Sequence, residues 1–311
     1  MMTRATDIDE PVTGEIEHVP FTDGHPLANA VSIVIPAFNE GKHVADEVRA
    51  VREVMKRTGW EFEIIVVDDG SADDTAVNAA ATGVRVIRHP RNRGYGASLK
   101  RGIAAAAHDW ILITDADGTY PAEAIPQLLA RAADNDMVVG ARTGANVAIP
   151  IERRPAKWFL RKLASYLAGQ ELPDLNSGLR LMRKDLVQRY VYLLPSGFSF
   201  TTTITLATAC NEHSVEYVPI DYLKRLGSST IRPRHAYDFT LLILRVIVFF
   251  NPLKIFIPLG GFLFLLGLGK FMYDLVKENL SESAIFFLLA ALIIWCVGLL
   301  ADQNAKVASR R

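Results

Sequence analysis

Val31-Ser-Ile-Val-Ile-Pro-Ala-Phe-Asn-Glu40 decides how this sequence is read. Its first five residues are β-branched and apolar around a single Ser, too short a run for a helix and of the kind that fills a strand buried on both faces. Glu63-Ile-Ile-Val-Val67, Val84-Arg-Val-Ile87, Trp110-Ile-Leu-Ile113 and Met137-Val-Val139 repeat the pattern. Helical stretches over 41–57, 72–81, 96–107 and 122–133 separate them. The alternation predicts an α/β fold built on a mostly parallel, doubly wound sheet.

Three acidic or polar segments follow strands in this scheme. They are Pro36-Ala-Phe-Asn-Glu40, Asp68-Asp-Gly-Ser71 and Asp115-Ala-Asp117. Asp-Asp-Gly-Ser alone reads as a turn with a helix cap. All three together fall at strand carboxyl ends, where open α/β sheets bind ligands, and so predict a site. Carboxylates such as Asp115 and Asp117 suit a hard divalent cation, Mg²⁺ or Mn²⁺, that neutralises the charge developing on a nucleotide diphosphate leaving group. Both can approach one ion only where the chain turns, which Gly118 allows. Asn92-Arg-Gly-Tyr-Gly96 opens a helix with two glycines, and Lys100 follows one turn later, so amides or an ammonium are on offer to an anion.

On these residues the chain resembles the family 2 glycosyltransferases of GT-A (Rossmann-like) fold, most closely the branch of dolichol-phosphate mannose synthases and bacterial polyprenyl-phosphate glycosyltransferases. The resemblance covers roughly 31–231. It implies that Pro36, Phe38, Glu40, Val67 and Asp69 hold base and ribose of a nucleotide diphosphate sugar, and that Asp115, Ala116 and Asp117 meet its diphosphate and the metal. Lys100 joins this donor set. Gly140-Ala-Arg142, Trp158-Phe-Leu-Arg-Lys162 and Asp174-Leu-Asn-Ser-Gly178 look like the segments that receive a polyprenyl phosphate. Arg142 and Arg161 are the candidates to bind that phosphate, with Asp174 and Ser177 beside them, because an arginine fork matches phosphate geometry. Two departures stand out. Thr119 occupies a position where some relatives carry a metal-binding Gln, and Gly227-Ser-Ser-Thr230 replaces Gly-x-Ser-Lys. Arg225, or Lys224 and Arg232 near it, would then take over the phosphate contact.

A hydroxyl acceptor needs a general base, whereas a phosphate is already an anion. Gly197-Phe-Ser-Phe-Thr-Thr-Thr203, where hydroxyl-transferring relatives carry an acid, contains none. Polysaccharide synthases carry Gln-x-x-Arg-Trp, whereas this chain has Gln188-Arg189 without the Trp. The expectation is therefore one inverting displacement of a single sugar onto a polyprenyl phosphate, with Asp117, Arg142 and Arg161 as the catalytic set. The alternatives are transfer to a hydroxyl acceptor, lipid or growing polysaccharide, and a non-catalytic membrane protein that binds nucleotide sugar.

The 311 residues suffice for one large domain and an appendage. Net charge is zero, yet residues 1–141 carry 13 Lys and Arg against 22 Asp and Glu, and residues 142–254 carry 16 against 8. An acidic half for a cation and a basic half for anionic lipid suit a membrane-surface enzyme, with no nucleic acid as partner. Cys210 and Cys296 fit neither a zinc site nor a redox pair. Residues 1–30 read as a flexible tail without a secretory signal, 31–235 as the catalytic domain and 236–252 as a juxtamembrane amphipathic helix. Residues 253–302 read as two transmembrane helices and 303–311 as a cytoplasmic tail. Arg232, Arg234, Arg245 and Lys254 precede the first span and Lys306, Arg310 and Arg311 follow the second, which predicts a plasma-membrane protein with both ends and the catalytic domain in the cytoplasm. A second copy, paired through the hairpin, is a further candidate partner.

Overall fold

The computed structural model describes residues 29–144, 161–223 except 167, 198 and 212, and 241–309 except 242, 243, 247, 279 and 280. Elements run in the order β1 (Ala30–Ala37), α1 (Val44–Met55), β2 (Glu61–Asp68), α2 (Thr75–Ala80), β3 (Arg85–Arg88), α3 (Tyr95–Ala105), β4 (Trp110–Ile113), α4 (Ile125–Leu129) and β5 (Met137–Ala141). They continue as β6 (Arg180–Arg183), α5 (Lys184–Tyr190), α6 (Phe200–Cys210), β7 (Val215–Pro219), α7 (Leu253–Val276) and α8 (Glu282–Ser309). The helix expected over 122–133 resolves into α4 between two 3₁₀ turns, Ala122–Ala124 and Ala132–Asp134.

One seven-stranded sheet carries the order β3-β2-β1-β4-β6-β5-β7. Ladders β2–β3, β1–β2, β1–β4 and β5–β7 are parallel, as the βα alternation predicts. Strand β6 was not foreseen, and it runs antiparallel to both β4 and β5. Its four residues begin and end with Arg, so no apolar run marks it. The reversal matters for the site. Arg180 pairs with Ile113 and with Val139, which places the start of β6 at the same sheet edge as the ends of β4 and β5.

Alternation along the strands feeds two cores. Val31, Ile33 and Ile35 of β1 join Val44, Val48, Val51 and Met55 of α1, whose helical spacing puts them on one stripe, and Leu128 of α4. Val34 and Ile65 point the other way, onto Leu99 of α3, Leu186 of α5 and Ile204 of α6. Each such aliphatic side chain contributes about 1.5–3 kcal/mol on burial. A third cluster ties Ala164 and Leu172 to the outer side of α6 through Leu206 and to Val246, joining the domain to the segment that precedes α7.

Helices α7 and α8 are long and apolar enough to cross a membrane, with mean hydropathy 1.9 and 2.8 in their most apolar windows. Only 11% and 17% of those windows is buried, so they are not core helices of the domain. They pack closely on each other where small residues meet large ones: Gly260 lies against Trp295, and Gly298 against Phe256. At the far end Asp274 accepts from Lys270 and from the Ser281 backbone at 3.0 Å, closing the turn between the helices.

Candidate active site

Strand register sets the site. Ala37 pairs with Asp68, and Val34 with Ile113, so the segments after β1, β2 and β4 emerge side by side. The first two are laced together. Asn39 N donates to Ser71 Oγ at 2.9 Å, Ala72 N to Asn39 Oδ1 at 3.0 Å, and Glu40 N to Thr75 Oγ1 at 2.9 Å. Phe38 stands out of this lacing with 44% of its surface exposed, a free aromatic face at the crevice, while Pro36 and Val67 are buried in the strands below.

Asp69 is buried and takes three internal bonds. Arg93 N and His89 Nδ1 meet its Oδ1 at 2.9 and 2.8 Å, and Gly94 N meets Oδ2 at 2.8 Å. It therefore holds the 91–94 loop against the end of β2. The glycines of that loop permit close packing: a Cβ on Gly96 would lie 2.2 Å from Pro195 O, and Ala97 N already donates to Ser196 O at 3.0 Å. Lys100 is likewise engaged, its ammonium donating to Leu194 O at 2.5 Å, with burial lowering its pKa.

Asp115 and Asp117 are half-buried on the turn after β4, where Gly118 takes a φ of 68°. Each carboxylate is oriented by a neighbour that sequence reading did not assign. Tyr95 Oη donates to Asp115 Oδ1 at 2.9 Å, and Thr119 donates to Asp117 Oδ1 through Oγ1 at 2.6 Å and through N at 3.1 Å. Thr119, noted as a departure from a Gln ligand, is thus a group that aims Asp117. Gly178 presses on Asp115 from the other side, since a Cβ there would lie 2.8 Å from Oδ2. Beneath them Glu47 of α1 has its pKa raised to about 7, by burial first and then by the charges of Asp117 and Asp115. No apolar-run or motif signal pointed to Glu47, and the 92–96 motif that contains Tyr95 drew notice for its glycines.

Among the described residues, no three His, Cys, Asp or Glu side chains gather round one point. The donor set is two oriented, solvent-facing carboxylates. It fits a hard divalent cation that completes its sphere with diphosphate oxygens and water, as Mg²⁺ and Mn²⁺ do at phosphate sites.

Arg142 follows β5 at this same edge. Its Nε and Nη2 form a fork on Asp174, 2.7 Å to Oδ2 and 2.8 Å to Oδ1, and its backbone N adds a third bond at 3.0 Å. Burial would lower the Arg142 pKa, but Asp174 outweighs it and holds the guanidinium charged above its ordinary value. Burial acts oppositely on Asp174, and the pairing with Arg142 keeps that carboxyl below its usual range. The Tyr222 ring covers the guanidinium at 5.2 Å. Ser177, expected beside a phosphate, is fully buried and donates to Gly140 O at 2.5 Å. Arg161 heads a helical stretch over 161–166, and no hydrogen bond among the described residues joins it to Arg142 or Asp174. Arg225, Lys224, Thr230, Arg232 and Trp158 lie outside the described residues.

A family model described as glycosyl transferase family 2 matches residues 32–191, about half of the chain, and spans every strand but β7. The chain belongs to glycosyl transferase family 2. A second model, the GtrB C-terminal hairpin, matches residues 251–307, which contain α7 and nearly all of α8. This hairpin and its two exposed apolar helices make the protein membrane-associated. Among relatives, the prophage bactoprenol glucosyl transferase homolog of Escherichia coli K12 is 31% identical over 60% of this chain and 63% of its own length. An undecaprenyl-phosphate 4-deoxy-4-formamido-L-arabinose transferase of Klebsiella pneumoniae is 31% identical over 52% of this chain and 51% of its own, and a dolichyl-phosphate hexose transferase of Haloferax volcanii is 28% identical over 65% and 87%. The chain thus spans between half and two-thirds of the length of the first two. Glucosyl-3-phosphoglycerate synthase from Mycobacterium tuberculosis, solved with Mn²⁺, UDP and phosphoglyceric acid, shares the fold with a TM-score of 0.57 at 21% identity, over 70% of this chain and 78% of that one. This family membership confirms the GT-A expectation.

Proposed function

We propose that this protein transfers one sugar from a nucleotide diphosphate sugar to a polyprenyl phosphate at the membrane surface. The observation that carries the reading is the pair of oriented carboxylates, Asp115 and Asp117, at the sheet edge of a domain rooted in an apolar hairpin. Three relatives are named for transfer to bactoprenol, to an undecaprenyl phosphate or to a dolichyl phosphate, which supports the acceptor class.

The donor's base and ribose are assigned to the crevice between Phe38, Glu40 and the Asp69-held loop, with Phe38 as the stacking face. Asp115 and Asp117 would hold Mg²⁺ or Mn²⁺ against the diphosphate, and that ion would stabilise the departing charge. On the acceptor side, Asp174 fixes the Arg142 fork so that the remaining guanidinium N–H groups are the ones available to a phosphate. Since Arg142 and Asp174 neutralise each other, Arg142 contributes directed hydrogen bonds more than net charge. Arg161 is assigned the charge. The stretch from Gly197 through Thr203 has hydroxyls and no carboxylate to act as base, as an anionic acceptor requires. A phosphate oxygen placed in line with the anomeric carbon then displaces the diphosphate in one step and inverts the centre. The catalytic domain and both chain ends are assigned to the cytoplasm, on the side of the nucleotide sugars.

Membranes containing the protein, incubated with polyprenyl phosphate, Mg²⁺ and a panel of radiolabelled nucleotide sugars, test the reading. Label should enter the organic phase from one donor and vanish with Asp117→Ala. Absence of lipid label from every donor, with nucleotide still bound, would refute the lipid-phosphate acceptor.

A further inference from the structure

Arg180, at the start of β6, is the largest side chain in the described residues with no exposure at all. A guanidinium removed from water ordinarily keeps a carboxylate beside it, because the desolvated charge is costly otherwise. Among the described residues Arg180 hydrogen-bonds to none: the oxygens that accept from it are all neutral, and Asp174 acts on it only through longer-range attraction. Nε and Nη2 donate to Ser177 O at 3.0 and 2.5 Å, while Nη1 donates to Thr201 O at 3.1 Å and Thr205 Oγ1 at 3.0 Å. An apolar residue would fill such a place at less cost, so the charge calls for a reason beyond packing.

The reason lies in what those bonds fix. The Ser177–Gly178 peptide is held at both ends, its carbonyl by Arg180 and its N–H by Tyr120 Oη at 2.6 Å. Gly178 is in turn the surface on which Asp115 rests, too close to admit a Cβ. At its other end the guanidinium grips the first turns of α6, where Thr202 donates to the Asn176 side chain of the same loop. We infer that Arg180 is a positioning residue, which sets the floor beneath Asp115 and locks that floor to α6. It touches no substrate. The inference assigns a part in the reaction proposed above, and for its effect on rate it rests on that reading.

The test uses full-length protein in detergent, as Arg180→Lys and Arg180→Met. Lys keeps a buried cation able to bond one carbonyl; Met removes the charge at similar length. Mn²⁺ binding in the presence of UDP or GDP is followed by electron paramagnetic resonance, beside melting temperature and transfer rate. In both variants Mn²⁺ binding should weaken about tenfold, as when a group orienting a metal ligand is lost, and turnover should fall by about 100-fold, as for a slightly misplaced reacting group. Arg180→Met should melt no lower than Arg180→Lys. Wild-type Mn²⁺ affinity in both variants, or a loss of activity that only matches the loss of folded protein, would overturn the inference. Should the wild type label no lipid while Mn²⁺ binding still separates it from Arg180→Lys, the acceptor reading falls and the positioning part stands.

Discussion

Thr119 makes two bonds to one oxygen of Asp117, and its side chain is buried, so its hydroxyl has no competing water. Thr119→Val keeps the shape and deletes the donor. Half-saturating Mn²⁺ for transfer should rise about tenfold, the usual cost of losing a group that orients a metal ligand, with the melting temperature little changed; equal Mn²⁺ dependence would show that Asp117 needs no such aim. Glu47 answers to a different measurement. Its pKa of about 7, against an ordinary 4.5, means the folded chain holds this proton where the unfolded chain has lost it. Stability from this group is therefore complete below about pH 4.5 and is lost as pH rises through 7. In buffer free of divalent ions, Glu47→Gln removes the titration. The wild type should lose melting temperature between pH 5 and 8 by more than the variant does, and parallel curves would refute it. Neither role is legible in the sequence, because Glu47 reads as one more acid in an amphipathic helix and Thr119 stands out only as a missing Gln.

At the scale of elements, the contact between the start of α3 and the 195–197 loop is backbone on backbone. Gly96→Ala must separate them, since the new Cβ would meet Pro195 O at 2.2 Å and Gly197 O at 2.9 Å. Overpacking of this kind costs about 1–3 kcal/mol, and here it also moves Tyr95, the donor to Asp115. Melting temperature and transfer rate should both fall; a variant with wild-type values for both would show that the loop yields freely. Strands β1, β2, β4 and β5 were legible because parallel central strands are apolar on both faces and read as unbroken runs. Strand β6 was not: a buried Arg180 and a paired Arg183 give it the look of a loop, and only the fold reveals that their charges are accommodated. Equally invisible in the sequence was the close packing that the glycines of the 92–96 loop permit against 195–197.

At the scale of the whole molecule, the candidate site was legible as a convergence of strand ends, and Asp115 and Asp117, the pair proposed to hold the metal, stand on the turn after one of them. What sequence could not show is partnership, as with Arg142 held by Asp174 or Ser177 turned inward onto Gly140. Orientation in the bilayer is the remaining consequence of the whole. Basic residues flank the outer ends of both spans, Arg245 before α7, Lys254 in its first turn and Lys306 within the last turn of α8, while the connector between the spans holds both signs of charge. The cytoplasmic side should therefore be the side of the catalytic domain. In a Cys210→Ser, Cys296→Ala background, Glu282→Cys at the start of α8, beside the connector, should react with a membrane-impermeant maleimide in intact cells, and Val307→Cys only after permeabilisation. Both positions are exposed, so neither result would reflect burial. The opposite pattern would place Asp115 and Asp117 away from the cytoplasmic pool of nucleotide sugars and would remove the donor from the proposed reaction.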